Sequence, residues 1–344
     1  MKTLKSYFQA AIKNNASDLH LVGGEKPTLR IDGDLRGLKD DDLAGKQLEI
    51  AILDLLSADQ KQQFQENMEL DFGYNIEGHR FRVNLHRQEG QIGMAARLIP
   101  KEIPTPQDLR FEQPLIGFTG LLDGLVLVVG PTGHGKSTTL ASMVNEINKT
   151  RKAHIMTIED PIEFVFEDDK SLVEQREIGT DTKSFANALK HVLRQDPDVI
   201  LVGEMRDPET IAIVLTAAET GHLVFSTLHT STAAEAVERI VDVFEGSRQK
   251  QVLIQLAAVL RGIVAQQLLP NADGKRVVAR EILVNTSAVS NLIRENNIAQ
   301  IYSAIQTGAR DGMQTMDNSV KQLLKDGLID KEIAEKRMGK QRRV

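Results

Sequence analysis

Apolar residues recur at helical spacing at Leu4, Phe8, Ala11 and Ile12, which predicts a first helix docked through one face. The period then shortens. Asp18–Val22 and Thr28–Asp32 read as strands, with Gly23-Gly24 and Asp32-Gly33 as turn signals. The polar stretch from Asp41 to Gln65 carries Leu48, Ile52, Leu55 and Leu56 at helical spacing and predicts one or two helices. Phe81 to Leu85 alternates, so Phe81, Val83 and Leu85 share one face and Arg82 and Asn84 the other. Gly93–Ile99 predicts a neighbouring strand that carries Arg97. Residues 1–100 thus form a small α/β domain.

Pro100, Pro104, Pro106 and Pro114 crowd between regular elements, the mark of a stiffened linker, placed at residues 101–118. From 119 to 344 apolar strands alternate with amphipathic helices. The strands are Leu125–Val129, Ile155–Ile158, Val199–Val202 and Leu223–Thr227. Phe185, Ala188, Leu189 and Val192 mark one intervening helix, and Ile211, Val214, Leu215 and Ala218 another, with Pro208 near its start. This alternation predicts a parallel sheet covered on both faces. From Arg248 onward helical periodicity dominates, apart from a hairpin through Asn271–Gly274. The Lys- and Arg-rich tail Lys331–Val344 reads as a solvated end rather than a membrane-surface segment. No fixed-period repeat or low-complexity tract occurs.

Composition narrows the class. At 344 residues the chain exceeds one compact core, and 41% apolar with 26% charged residues is ordinary for a soluble globular protein. No run approaches the roughly 18 apolar residues of a membrane span. Met1 to His20 lacks the apolar block of a signal peptide. With no cysteine there can be no disulfide and no thiolate zinc site, and the cytoplasm is the expected compartment. A net charge of −6 and few aromatics argue against nucleic acid as a partner.

The chemistry gathers at Gly130, Pro131, Thr132, Gly133, His134, Gly135, Lys136, Ser137 and Thr138, which follow Leu125–Val129 and precede helical spacing at Leu140, Met143, Val144 and Ile147. Strand, glycine-rich turn and helix with the spacing G-x-x-x-x-G-K-S form a phosphate cradle. The glycines bring backbone N–H groups close to phosphate oxygens, and the helix N-terminus adds its dipole. Lys136 supplies a charge for the β/γ-phosphates and Ser137 a ligand for Mg²⁺. His134 fills an open position of the motif and is given no chemistry of its own.

Ligands bind where parallel strands point their carboxyl ends, so the other strand tips supply the remaining candidates. Glu204, after Val199–Val202, is placed to orient and deprotonate the water that attacks the γ-phosphate. Gly203 stands where a Mg²⁺-binding aspartate is often found, which leaves Ser137, phosphates, waters and Glu204 itself as metal ligands. Glu163 is a candidate for the metal's water shell, with Glu159 its rival; the structural reading of either is a capping group. His229 can sense the γ-phosphate, and His222 is weighed beside it. Arg82 and Arg97 are candidates for an arginine that completes the transition-state site from the first domain, against surface salt bridges as the plainer account.

Taken in order, Ser17–His20, Gly130–Thr139, Thr157–Phe164, Gly203–Pro208, Gly221–Thr230, Asn291–Glu295 and Tyr302–Gly308 resemble the type IV pilus retraction ATPases of the secretion-motor superfamily, over nearly the whole chain. The resemblance implies an α/β protein with a PAS-like N-terminal domain, a RecA-like ATPase domain and C-terminal helices. It also implies a homohexamer that hydrolyses ATP with Mg²⁺ at the pilus base, against an inner-membrane platform protein and alongside a paralogous retraction ATPase. It maps an acidic box onto Glu159–Glu163, an atypical Walker B onto Glu204 and a histidine box onto His222 and His229. Arg82 and Arg97 resemble N-domain arginines that reach the nucleotide. Extension motors usually carry a four-cysteine zinc site, which this chain lacks. Where the family reads Ala-Ile-Arg, this chain has Ala288-Val289-Ser290. The alternatives are an accessory retraction ATPase, another secretion motor, a RecA-like nucleic-acid translocase, or a module that only holds nucleotide.

Overall fold

A computed structural model describes residues 2–271 and 275–341, with the side chains of 339–341 left out. The chain divides into two units, Met1–Glu102 with Pro161–Val165, and Ile103–Asp160 with Phe166–Val344.

The first unit runs α1 (Leu4–Lys13), β1 (Asp18–Val22), β2 (Thr28–Ile31), β3 (Asp34–Gly37), α2 (Gly45–Leu53), α3 (Ala58–Asn67), β4 (Glu69–Ile76), β5 (His79–Gln88) and β6 (Gln91–Leu98). Its strands pair antiparallel in the order β3-β2-β1-β6-β5-β4. Strand pleating sends Phe81, Val83 and Leu85 inward, all fully buried, to pack with Phe8 of α1 and Leu48 and Ile52 of α2. Phe8 meets Phe81 edge-on at 4.9 Å between ring centroids. The opposite face carries the polar set. Helix α3 starts with a reciprocal Ser57/Gln60 capping box, and Met68 ends it in a left-handed turn.

The second unit begins with α4 (Gln113–Thr119) and β7 (Gly124–Val129), then α5 (Lys136–Thr150), β8 (His154–Glu159), β9 (Leu172–Glu177), α6 (Phe185–Val192), β10 (Val199–Val202), α7 (Pro208–Glu219) and β11 (Leu223–Leu228). It continues with α8 (Ala233–Asp242), α9 (Ser247–Val259), β12 (Leu260–Pro270), β13 (Arg276–Val284), α10 (Ser287–Arg294), α11 (Ile301–Thr307), α12 (Met316–Lys325) and α13 (Lys331–Gln341). The sheet order is β13-β12-β7-β11-β10-β8-β9, parallel throughout except for the antiparallel edge strand β13. Strands β7, β10 and β11 are buried along their whole length, which is why they read as unbroken apolar runs rather than alternating ones. Side-chain caps start α6 (Ser184), α7 (Asp207), α8 (Thr232), α10 (Thr286) and α12 (Thr315), each contributing about 1 kcal/mol.

Three features depart from the pattern reading. The Lys- and Arg-rich tail, read as a solvated end, folds over Lys331–Gln341 as α13 with Ala334 fully buried. The region after Arg248 is mainly helical, as its periodicity predicts, but the hairpin within it has long arms: β12 and β13 pair over nine registers from Gly262↔Val284 to Pro270↔Arg276, and the expected turn at 272–274 lies outside the described residues. Strands β3, β4 and β9 had gone unread. In β9 the sequence is polar because it is a sheet edge with only Glu177 fully buried, so no apolar period marks it. Among the described residues no helix is long and apolar enough to cross a membrane.

The segment before α4 is anchored rather than loose. Arg280 of β13, fully buried, donates to Leu109 O (2.9 Å), Arg110 O (3.2 Å) and Glu112 Oε2 (2.9 Å), and its guanidinium lies 5.3 Å from the Phe111 ring centroid.

Candidate active site

The carboxyl ends of β7, β11 and β10, adjacent in the sheet, bring together the glycine-rich loop, His229 and Glu204. The loop has to be glycine at its first position. Gly130 has φ +149°, and a Cβ there would meet Gln266 O at 2.4 Å. At its last glycine, Gly135 adopts a left-handed turn (φ +81°) and opens α5 with no side chain capping it, which leaves the N–H groups of the helix N-terminus open to an anion. Lys136 is buried on the first turn, and its Nζ donates to Gly130 O (2.8 Å) and Pro131 O (3.1 Å).

His229 bridges the loop to Glu204. Its Nδ1 lies 3.4 Å from Lys136 Nζ and 3.3 Å from Thr132 Oγ1, and its Nε2 lies 3.4 Å from Glu204 Oε2. That arrangement suits a ring protonated on Nε2, with Nδ1 accepting. Glu204, 13% exposed, holds Arg206 Nη2 on its other oxygen at 2.5 Å. The hydrogen bond it donates to Glu204 pushes the Arg206 pKa up, with Glu204 and Asp160 adding charge attraction. The turn that aims Glu204 is braced by its neighbours. Gly203 N–H donates to Ile158 O (2.8 Å), Thr227 Oγ1 donates to Gly203 O (2.6 Å), and Met205 N–H donates to Thr227 O (3.2 Å).

The remaining candidates make other contacts. Glu159 is buried and accepts from Thr157 Oγ1 (2.7 Å) and Gln175 Nε2 (3.2 Å), so it ties β8 to β9. His222 precedes β11, a strand of about 20 Å away from that strand's site end, and its Nδ1 faces Ala217 O at 3.0 Å. Glu163 falls in Pro161–Val165 and groups with the first unit, as do Arg82 and Arg97. Those two arginines stand opposite each other on β5 and β6. Arg97 Nε donates to Asp18 Oδ1 at 2.9 Å while its side chain stays 68% exposed. Burial alone would raise the Asp18 pKa, but hydrogen bonds from Arg97 and Ser17 outweigh it and hold the carboxyl below its usual value.

Residues that sequence reasoning passed over hold the loop in place. Gln266 of β12 accepts from Thr139 Oγ1 (2.8 Å) and donates to His134 O (2.7 Å). His134 Nδ1 accepts from Leu268 N–H at 2.9 Å, so this histidine anchors the loop to β12. The only hint was the pair Gln266-Gln267 inside an otherwise apolar run. Ser290, at the position of the family's arginine, donates to Ala257 O (2.9 Å) and fastens α10 to the end of α9.

The type II/IV secretion system protein family matches residues 119–336. The chain is 49% identical over 323 residues to the type IV pilus retraction ATPase PilT of Pseudomonas aeruginosa, covering 94% of each. It is 48% identical over 313 residues to a twitching motility protein of Neisseria gonorrhoeae, covering 90% of this chain and 84% of that one. Among solved structures, the pilus retraction motor PilT with bound ADP superposes with a TM-score of 0.90 at 46% identity, over 98% of this chain and 97% of that chain.

Proposed function

Because this chain belongs to the type II/IV secretion system protein family, we propose that it is an ATP-hydrolysing motor that retracts type IV pili. The carrying observation is the convergence of Lys136, His229 and Glu204 on adjacent strand tips in a chain 49% identical to PilT over 94% of its length. The uncapped start of α5 and the burial of Lys136 suit a nucleoside triphosphate.

Lys136 exchanges the Gly130 and Pro131 carbonyls for β/γ-phosphate oxygens. Glu204 orients the attacking water and takes its proton, through the carboxylate oxygen that Arg206 does not hold. Mg²⁺ suits this site: Glu204 Oε2 is buried and makes no hydrogen bond, with only His229 Nε2 facing it at 3.4 Å, and Ser137 lies on the first turn of α5. Bound there, Mg²⁺ would neutralise charge on the phosphates, and Ser137, Glu204 and Glu163 are the residues that would hold it. Arg82 and Arg97 contribute guanidinium groups from the N-terminal domain, and His229 reports loss of the γ-phosphate to the following helix. The motor works as a cytoplasmic homohexamer at the inner membrane, on a pilus platform protein and beside a paralogous ATPase.

A strain lacking the gene separates this reading from its rivals. Loss of retraction leaves surface pili in place and stops twitching, and wild type but not Lys136→Ala restores movement. Loss of surface pili would mark an extension motor instead, and unchanged motility would point to another secretion branch.

A further inference from the structure

Strand β13 places two buried charged residues back to back. Arg280 and Glu281 are each 1% exposed, and strand geometry sends consecutive side chains to opposite faces of the sheet. On one face Arg280 binds Leu109, Arg110 and Glu112 of the segment that leads to the N-terminal domain. On the other, Glu281 Oε1 accepts the Ala233 N–H at 2.9 Å. Ala233 opens α8, four residues after His229. The intervening turn is short and self-tied, since Ser231 N–H donates to Glu235 Oε2 (2.8 Å) and Thr232 Oγ1 accepts from Glu235 N–H (3.1 Å). His229 and the start of α8 are thus joined by a short, hydrogen-bonded turn.

Neither charge is there for ordinary packing. A carboxylate or guanidinium taken from water costs more than its contacts return unless those contacts are well formed. Burial pushes the Glu281 pKa up despite the Ala233 hydrogen bond, and burial pushes the Arg280 pKa down against the pull of Glu112. Around Glu281, Arg337 of α13 and Asp317 of α12 act on its charge in opposite senses.

We propose that Glu281 is a positioning residue for the His229 loop and that, joined through β13 to Arg280, it couples that loop to the linker at 103–112. The inference rests on the functional reading above, in which phosphate arrival draws Lys136 away from its present partners and disturbs His229. The coupling passes through two contacts that polar backbone cannot replace: one carboxylate on the α8 amide and one guanidinium on the linker carbonyls.

The full-length protein carries the test. Glu281→Gln keeps an acceptor for Ala233 N–H and retains kcat within about twofold of wild type, whereas Glu281→Met lacks one and loses about tenfold in kcat with KM for ATP little changed. Hydrogen exchange with added ADP or a slowly hydrolysed ATP analogue gives the second readout. In wild type and Glu281→Gln, nucleotide changes the exchange of amides 103–112. In Glu281→Met and Arg280→Met that response is lost while the loop at 130–138 stays protected. Equal losses in the Gln and Met variants would show that the acceptor offered to Ala233 N–H is not what matters, and that result overturns the proposal. So does a linker in wild type that ignores nucleotide, which remains measurable even if the Met variants fail to fold. A wild-type protein that binds nucleotide without hydrolysing it would defeat the ATPase reading and leave the exchange test standing.

Discussion

Glu204 has one carboxylate oxygen on Arg206, and the other, which makes no hydrogen bond, faces His229, so Oε2 is the oxygen that can accept from a water. The Gln variant keeps the shape and loses the basicity. Glu204→Gln is expected to bind ATP with near wild-type affinity while turnover falls at least about tenfold; an equilibrium binding curve beside a phosphate-release assay checks it, and unaltered turnover would remove Glu204 as the base. His134 allows a second prediction. Burial first, then the charges of Lys136, Arg276 and Arg337, push its pKa below the usual histidine value. Above about pH 6.5 the ring is neutral in folded and unfolded chains alike, and the Leu268 N–H bond contributes in full. As pH falls, the unfolded chain takes up the proton first, so stability drops until the folded ring is protonated at its depressed pKa. His134→Asn does not titrate there and should show a flatter melting temperature between pH 7.5 and 5.5. The two residues also mark what a sequence discloses. Lys136 and Glu204 were legible because strand, turn and helix order fixes their positions, while the task of His134 depends on β12, more than a hundred residues later.

At the scale of elements, the fully buried parallel strands were readable because burial on both faces forces a continuous apolar run. Strand β9 was not, since a sheet edge facing solvent can be polar without cost. The β12–β13 hairpin was read only at its turn, because its arms pack among helices and apolar runs of that length do not distinguish strand from buried helix. Strand β12 is also where the loop gains its rigidity, through the two side-chain bonds of Gln266. Gln266→Met conserves the volume and removes both. The His134 carbonyl and Thr139 hydroxyl then lose a buried partner, at about 1–3 kcal/mol, and nucleotide affinity should fall several-fold. Urea unfolding and a nucleotide titration measure the two effects separately.

At the scale of the whole molecule, Glu204 belongs to one unit and Arg82 and Arg97 to the other. If hexameric sites are shared between chains, mixing inactive Arg82→Ala protomers with inactive Glu204→Gln protomers restores part of the ATPase, and the yield of activity against mixing ratio distinguishes sharing from sites built within one chain. The Arg280 anchorage bears on how the chain can be cut. A fragment starting at Gln113 strands a guanidinium that has lost Leu109, Arg110 and Glu112 as acceptors, a defect of about 3–5 kcal/mol, whereas one starting at Ile103 keeps all three. The shorter piece should express as an aggregate or melt far below the longer. For anyone dissecting the protein, the natural seam lies upstream of the prolines' last turn, and ten residues that resemble a disposable spacer are a structural part of the motor.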